Sequence, residues 1–291
     1  MKKSVIAFIC LALLFAMPLA SAGFWQWLTG KATQPTNVDI GVGNTAPTIP
    51  SVETISDVSP TSTTFKTVTF NFTAYDHDEN TDLNDSTASA TFTKDAVTRS
   101  DVLCSPGAAS GKTKDYSCSI DMWYFDVPGV WSVSVTVKDN SDATATNSTT
   151  TFNYSPVTAF EISPPTLTWG TLSPGAIDQK SNNDPTIMNN TGNYESSAIT
   201  INATDLKGLT LNTKIIYGSN FSSNTLDACG GTALSSSVFV NVTGAALARG
   251  NLSLGGGVGQ EELFYCLNVP PSVTKQSYST SEMGAWTIKV E

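Results

Sequence analysis

The chain has 291 residues, a formal net charge of −10 and only 14% charged residues. So acidic a chain lacks the basic patches that nucleic acid and anionic lipid surfaces require, and neither is an expected partner. The length accommodates two domains of ordinary size, and the wealth of Ser, Thr and Asn suits the outward positions of β-sandwich strands.

The first 22 residues read as a secretory signal peptide. Met1-Lys2-Lys3 is a basic head, an apolar run extends from Val5 to Leu19, and Ala20-Ser21-Ala22 precedes Gly23 as a small-x-small cleavage site. Membrane contact is expected only if this segment stays uncleaved, because the apolar character continues through Phe24 to Leu28 and could then span a bilayer. The C-terminal Trp286–Glu291 stretch reads as neither an anchor nor a lipid-attachment tail. Removing the signal takes away two basic residues and no acidic ones, so the mature chain is more acidic still.

Residues 23–46 show no sustained period and read as a linker. From there the pattern changes. Val68, Phe70, Phe72 and Ala74 alternate with Thr69, Asn71, Thr73 and Tyr75, which is the period of a half-buried strand. After Pro128-Gly129, Trp131, Val133, Val135 and Val137 share one face and Ser132, Ser134, Thr136 and Lys138 the other. The turn Asp139-Asn140-Ser141-Asp142 then leads into a second polar-alternating run, Ala143 to Tyr154, which makes a hairpin.

Beyond Ser155-Pro156 the strand candidates are Ala159–Ser163, Thr166–Leu172, Ala198–Asp205, Leu209–Tyr217, Ser236–Thr243, Glu261–Asn268 and Ala285–Val290. Turn-rich pieces separate them, including Asn189-Asn190-Thr191-Gly192-Asn193 and the glycine loop Gly255 to Gly259, which reads as a hairpin connection rather than a phosphate cradle. No segment carries a sustained helical period. The expected fold is all-β: two tandem antiparallel β-sandwich, Ig-like domains after the signal peptide, at 47–155 and 156–291.

Cys10 lies in the signal segment. The remaining Cys104, Cys118, Cys229 and Cys266 allow three pairings. The domain split favours Cys104–Cys118 and Cys229–Cys266, each closed within one domain and contributing about 3 and about 4 kcal/mol by loop entropy. An even count in a secreted chain reads as disulfides, and the spacings do not match zinc motifs.

The segment Pro128-Gly129-Val130-Trp131-Ser132-Val133-Ser134-Val135-Thr136-Val137-Lys138-Asp139-Asn140 is similar to the late strand and turn of PKD and related Ig-like domains. With Phe70–Asn84, that resemblance covers roughly residues 47–155, although the Trp-Asp-Phe-Gly-Asp-Gly type motif of PKD domains is missing. In the second half, Pro165 to Gly175 together with Asn190-Thr191-Gly192-Asn193 is similar to the first strands of prokaryotic surface β-sandwich families, including camelysin-like fibre subunits. The whole resembles secreted surface proteins of archaeal style. The resemblance implies adhesion or envelope structure.

Asn-x-Ser/Thr sequons stand at Asn71, Asn84, Asn147, Asn189, Asn202, Asn220, Asn241 and Asn251, with a ninth at Asn153 followed closely by Pro156. These are the candidate glycosylation sites. Asp76, Asp78, Asn80, Asp82 and Asn84 offer alternating oxygen ligands directly after a strand, a pattern that could wrap calcium. Thr81 and Thr87 stand where an EF-type loop wants glycine and a bidentate glutamate. The bland alternative is a solvated inter-strand loop with Asx turns.

His77 is the lone histidine and sits among acids, without the context of a nucleophile triad. No other cofactor is expected, and no catalytic residue stands out. Trp123, Trp131, Trp169 and Trp286 read as core. The expected protein is a secreted or cell-surface structural or adhesion protein. Its partners would be other envelope proteins or cell-surface glycans. A fibre subunit that self-assembles by strand exchange, with residues before Ala46 as donor, and a carbohydrate-binding module are the alternatives.

Overall fold

The structure, a computed structural model, describes residues 36–254 and 259–291. The signal segment, the first part of the linker, Cys10 and Gly255–Val258 of the glycine loop lie outside the described residues. The chain divides into two units, Met1–Gly43 and Asn44–Glu291. Residues 36–43 have no regular secondary structure. The larger unit carries two separate hydrophobic clusters.

Eight strands surround the first cluster. They are β1 (Thr48–Val52), β2 (Phe65–Tyr75), β3 (Leu83–Lys94), β4 (Val97–Asp101), β5 (Ser105–Ser110), β6 (Thr113–Trp123), β7 (Gly129–Asp139) and β8 (Thr144–Tyr154). They form two four-stranded sheets, ordered β1-β2-β6-β5 and β4-β3-β7-β8. With the strands lettered in chain order this is ABED against C′CFG, the immunoglobulin-type arrangement. The alternation expected at Val68–Ala74 and Trp131–Val137 holds along β2 and β7: Val68, Phe70, Phe72, Ala74, Trp131, Val133, Val135 and Val137 are buried. Phe70 of one sheet stacks on Phe92 of the other at 5.5 Å, and Phe92 meets Phe152 at 4.6 Å. Each such side chain contributes about 1.5–3 kcal/mol through burial. Trp131 is fully buried and donates its indole N–H to the Val127 carbonyl at 2.8 Å, so its polar atom is satisfied inside the core.

The second cluster is enclosed by shorter pieces. These are β9 (Phe160–Ser163), β10 (Gln179–Lys180), β11 (Thr186–Asn190), β12 (Ile199–Asn202), β13 (Leu206–Gly208), β14 (Ile215–Ile216), β15 (Phe221–Asn224), β16 (Thr232–Ala233), β17 (Val240–Asn241), β18 (Gln260–Leu267), β19 (Tyr278–Ser279) and β20 (Thr287–Val290). The principal sheet runs β16-β15-β18-β11-β9, with β10 also on β18; two three-stranded sheets, β17-β12-β20 and β14-β13-β19, complete the half. Phe221 sits between Trp169, at 5.3 Å, and Trp286, at 5.0 Å, both edge-on.

Strand positions in this half depart from the periodicity: β11 and β15 of the principal sheet form outside the expected segments, and several expected strands shorten or vanish. Thr166–Leu172 forms no strand: Asn183 accepts the Thr168 N–H at 2.9 Å, and the Thr168 carbonyl accepts from the Asn182 N–H at 2.8 Å. Local side-chain bonds thus replace a ladder. Leu167, Trp169 and Leu172 still pack on the cluster. Leu209–Tyr217 shrinks to β14 because Gln276 Oε1 takes the N–H groups of Thr210 and Leu211 at 2.9 and 2.7 Å. Ser236–Thr243 shrinks to β17, and Ala198–Asp205 to β12.

The connection after Tyr154 is clamped. Asn193 is buried, accepts the Val157 N–H at 2.6 Å and donates to the Ser155 carbonyl at 3.0 Å. A Cβ on Gly192 would lie 2.2 Å from the Val157 carbonyl oxygen, so only glycine fits against the connector. Of the turn-rich Asn189–Asn193 piece, Asn189 and Asn190 end β11, and Asn190, Thr191 and Asn193 are buried. Tyr124, on the first half, accepts a hydrogen bond from the Asn251 side-chain amide of the second.

Candidate metal centre

The acidic stretch after β2 does not wrap around a single point. Asp78 is exposed, and its Oδ2 accepts the Thr45 N–H at 2.6 Å. Asn80 donates its side-chain amide to the Gly111 carbonyl. Asn84 spends its carbonyl oxygen on Ser86, accepting the backbone N–H at 3.2 Å and the hydroxyl at 2.6 Å. Three of the five expected ligands are thus committed to local loop structure.

Asp76 and Asp82 converge instead on Asp139, the last residue of β7. One carboxylate oxygen from each of the three lies within 4.8 Å of the others. The topology explains the meeting. Asp76 follows the end of β2, and Asp82 precedes Leu83, which pairs with Asp139 across the β3–β7 ladder. Asn140 N–H donates to the Asp82 carbonyl at 2.8 Å and closes that corner.

Burial differs from one acid to the next. Asp76 and Asp139 are buried and Asp82 is half-buried. Asp139 is well served: Oδ1 accepts from Ser141 and Ala143 N–H at 2.9 and 2.8 Å, and Oδ2 accepts the Asn44 amide at 2.8 Å. Burial alone would raise its pKa, but these hydrogen bonds outweigh it and hold the group below the ordinary carboxylate value. Asp76 behaves in the opposite way. Burial raises its pKa first and repulsion from Asp82, Asp78 and Asp139 adds to that, against one N–H bond from Asp78. Its Oδ2 is buried and has no hydrogen-bond partner among the described residues. Such an oxygen is costly unless something positive meets it. An all-oxygen, triply anionic cluster suits a hard cation. A second acid–cysteine grouping, Asp101 with Cys104 and Cys118, offers no such set, because both sulfurs are joined in a disulfide.

Sequence reading found Asp76 and Asp82 but missed Asp139, read there as the start of a hairpin turn. The signal was present in principle: Asp139 closes the most regular strand of the chain, beside a loop rich in acids. His77 stands apart at the surface, with Nδ1 3.4 Å from the Tyr75 hydroxyl.

Both cysteine pairs join within one half of the large unit: Cys104 with Cys118, and Cys229 with Cys266. The sequons fall in different surroundings. Asn71 and Asn241 are exposed, whereas Asn84, Asn147, Asn153, Asn189, Asn202, Asn220 and Asn251 are half-buried. Asn71 donates its amide to Glu53 at 3.0 Å, Asn147 donates to the Ile49 carbonyl at 3.0 Å, and Asn251 is engaged with Tyr124. The Asn202 side-chain oxygen is buried without a partner, and Asn220 Oδ1 accepts the Tyr217 N–H at 3.0 Å.

No family model and no curated protein matches the chain. Among solved structures, a chaperone–tip adhesin complex vital for activation of CFA/I fimbriae biogenesis is similar at 14% identity and a TM-score of 0.32. That match covers 80% of this chain and 78% of the other. Dimeric latent PorU from Porphyromonas gingivalis is similar at 11% identity and a TM-score of 0.28, covering 89% of this chain; this chain spans 21% of PorU.

Proposed function

We propose that the protein works outside the cytoplasm as a non-enzymatic structural or adhesion module, secreted or held at the cell envelope. The observation that carries this reading is the pair of disulfides, Cys104–Cys118 and Cys229–Cys266, each stapling one half of the all-β body. Structural disulfides persist in oxidising compartments and are rare where thiols are kept reduced. The chain is weakly charged and acidic overall, which suits partners among other envelope proteins or cell-surface glycans. The test is protease accessibility of the tagged full chain on intact cells, combined with thiol labelling of the same sample. Surface cleavage with all four cysteines blocked supports the reading; a protected, reduced cytoplasmic pool overturns it.

A second reading, a subunit that assembles by donating a strand, is favoured by residues 36–43. Val38, Ile40 and Val42 alternate with Asp39, Gly41 and Gly43 and are 74%, 81% and 89% exposed. An extended segment with every second residue apolar is what an open sheet edge accepts. Sedimentation of the purified chain distinguishes the two readings. Assembly that disappears in Ile40→Asp marks a fibre subunit, and a monomer showing saturable binding to envelope material marks a module.

A further inference from the structure

We propose that Asp76, Asp82 and Asp139 bind one hard divalent cation of the calcium class, and that this ion holds the Asn44–Thr45 segment where the chain enters the first sandwich. The donors are carboxylate oxygens from the β2–β3 loop and from the end of β7, which the strand pairing brings together. Calcium–oxygen distances of 2.3–2.6 Å put the oxygens of one shell at most about 4.6–5.2 Å apart, a bound that the three carboxylate oxygens, within 4.8 Å of one another, meet.

The independent sign of a ligand is Asp76. Its side chain is wholly buried, faces two further carboxylates, and leaves Oδ2 with no donor among the described residues. A protein seldom buries a carboxylate against two others unless a cation shares the site. The ion would supply the positive charge that the surrounding side chains do not.

The coupling to the entry segment runs through two hydrogen bonds. Asn44 donates its amide to Asp139 Oδ2 at 2.8 Å, and the Thr45 N–H reaches Asp78 Oδ2 at 2.6 Å. Fixing Asp139 and the Asp76–Asp82 loop fixes both acceptors. Without the ion, three carboxylates repel one another at the point where the chain enters, and both bonds must hold against that repulsion.

The experiment uses the full mature chain with calcium chloride, magnesium chloride or chelator as the only variables. Melting temperature should rise with calcium, as mass action requires for an ion that binds only the folded state. Asp82→Asn should weaken calcium affinity at least tenfold by calorimetry. In chelator the same variant should melt no lower than wild type, because a repulsive charge is gone. If Asp82→Asn does not fold, Asp76→Asn, which keeps the oxygen that accepts the Asp78 N–H, takes its place. Asp115→Asn, an exposed acid elsewhere on β6, should titrate as wild type. Exchange of the Thr45 amide should slow at least tenfold with calcium in wild type and stay unchanged in Asp82→Asn. Identical melting in chelator and in millimolar calcium, or wild-type affinity in Asp82→Asn, overturns the site. An equal response to magnesium overturns its class. Calcium binding without change at Thr45 overturns the coupling.

Discussion

Arg99 grips Asp126 side-on: its Nε lies 3.1 and 3.0 Å from the two carboxylate oxygens, and Nη2 reaches Oδ1 as well. Asp126 is only 2% exposed and also accepts the Trp123 N–H at 2.7 Å. The pair ties β4 to the corner between β6 and β7, with the guanidinium 5.9 Å over the Phe125 ring. Removing one partner of a buried pair leaves an uncompensated charge. Arg99→Ala should therefore destabilise the first half by about 3–5 kcal/mol in urea unfolding. Arg99→Lys should recover only part of that, because an ammonium cannot reproduce the planar fork. A cost under about 1 kcal/mol would mean that water reaches Asp126.

Trp131→Ala should destabilise the same half by about 3–5 kcal/mol, the range for large-to-small aromatic changes in a core. The indole fills space between the two sheets and satisfies the Val127 carbonyl. Denaturant midpoints, read by far-UV dichroism because removing one of six Trp changes the fluorescence signal itself, provide the check. A Trp131→Phe variant should lose less, since it keeps most of the volume.

Gly192→Ala tests the clamp on the connector. The new methyl would meet the Val157 carbonyl at 2.2 Å and the Ala159 nitrogen at 2.9 Å, both of them backbone atoms that cannot step aside cheaply. The expected cost is about 1–3 kcal/mol. It should appear together with faster amide exchange at Val157 and Asn193, whose N–H groups belong to the clamp. Unchanged exchange there would show that the connector tolerates displacement.

Asp184 supplies a pH test away from the acidic cluster. Burial raises its pKa first; the Tyr265 N–H, at 2.9 Å from Oδ2, works against this, and Oδ1 has no partner among the described residues. A carboxyl raised above its unfolded value binds its proton more tightly in the folded state. Its contribution to stability is then fully present below the unfolded pKa and is lost as pH rises through the folded one. Asp184→Asn keeps an acceptor for Tyr265 and cannot ionise. Its melting temperature relative to wild type should therefore increase from pH 3.5 to pH 7. A difference that stays constant across that range would show that the carboxylate is solvated.

Sequence alone carried the fold class and the strongest strands. β2 and β7 are legible because sustained period-two alternation has one solution when one face must be buried, and Phe70, Phe72, Trp131 and Val133 leave no ambiguity about which face. The weak strands of the second half were illegible for the converse reason. Asn183 and Gln276 occupy backbone groups that a ladder would have used, and nothing in their neighbours' composition announces it. The acidic loop was legible as chemistry and misassigned as geometry. Alternation along the chain implied five ligands from one loop, yet Asp78, Asn80 and Asn84 each turn to a nearer partner. Only the pairing of β3 with β7 brings Asp139 to Asp76 and Asp82 from more than fifty positions away, because a register of hydrogen bonds between strands is a property of the folded sheet and has no counterpart in local sequence.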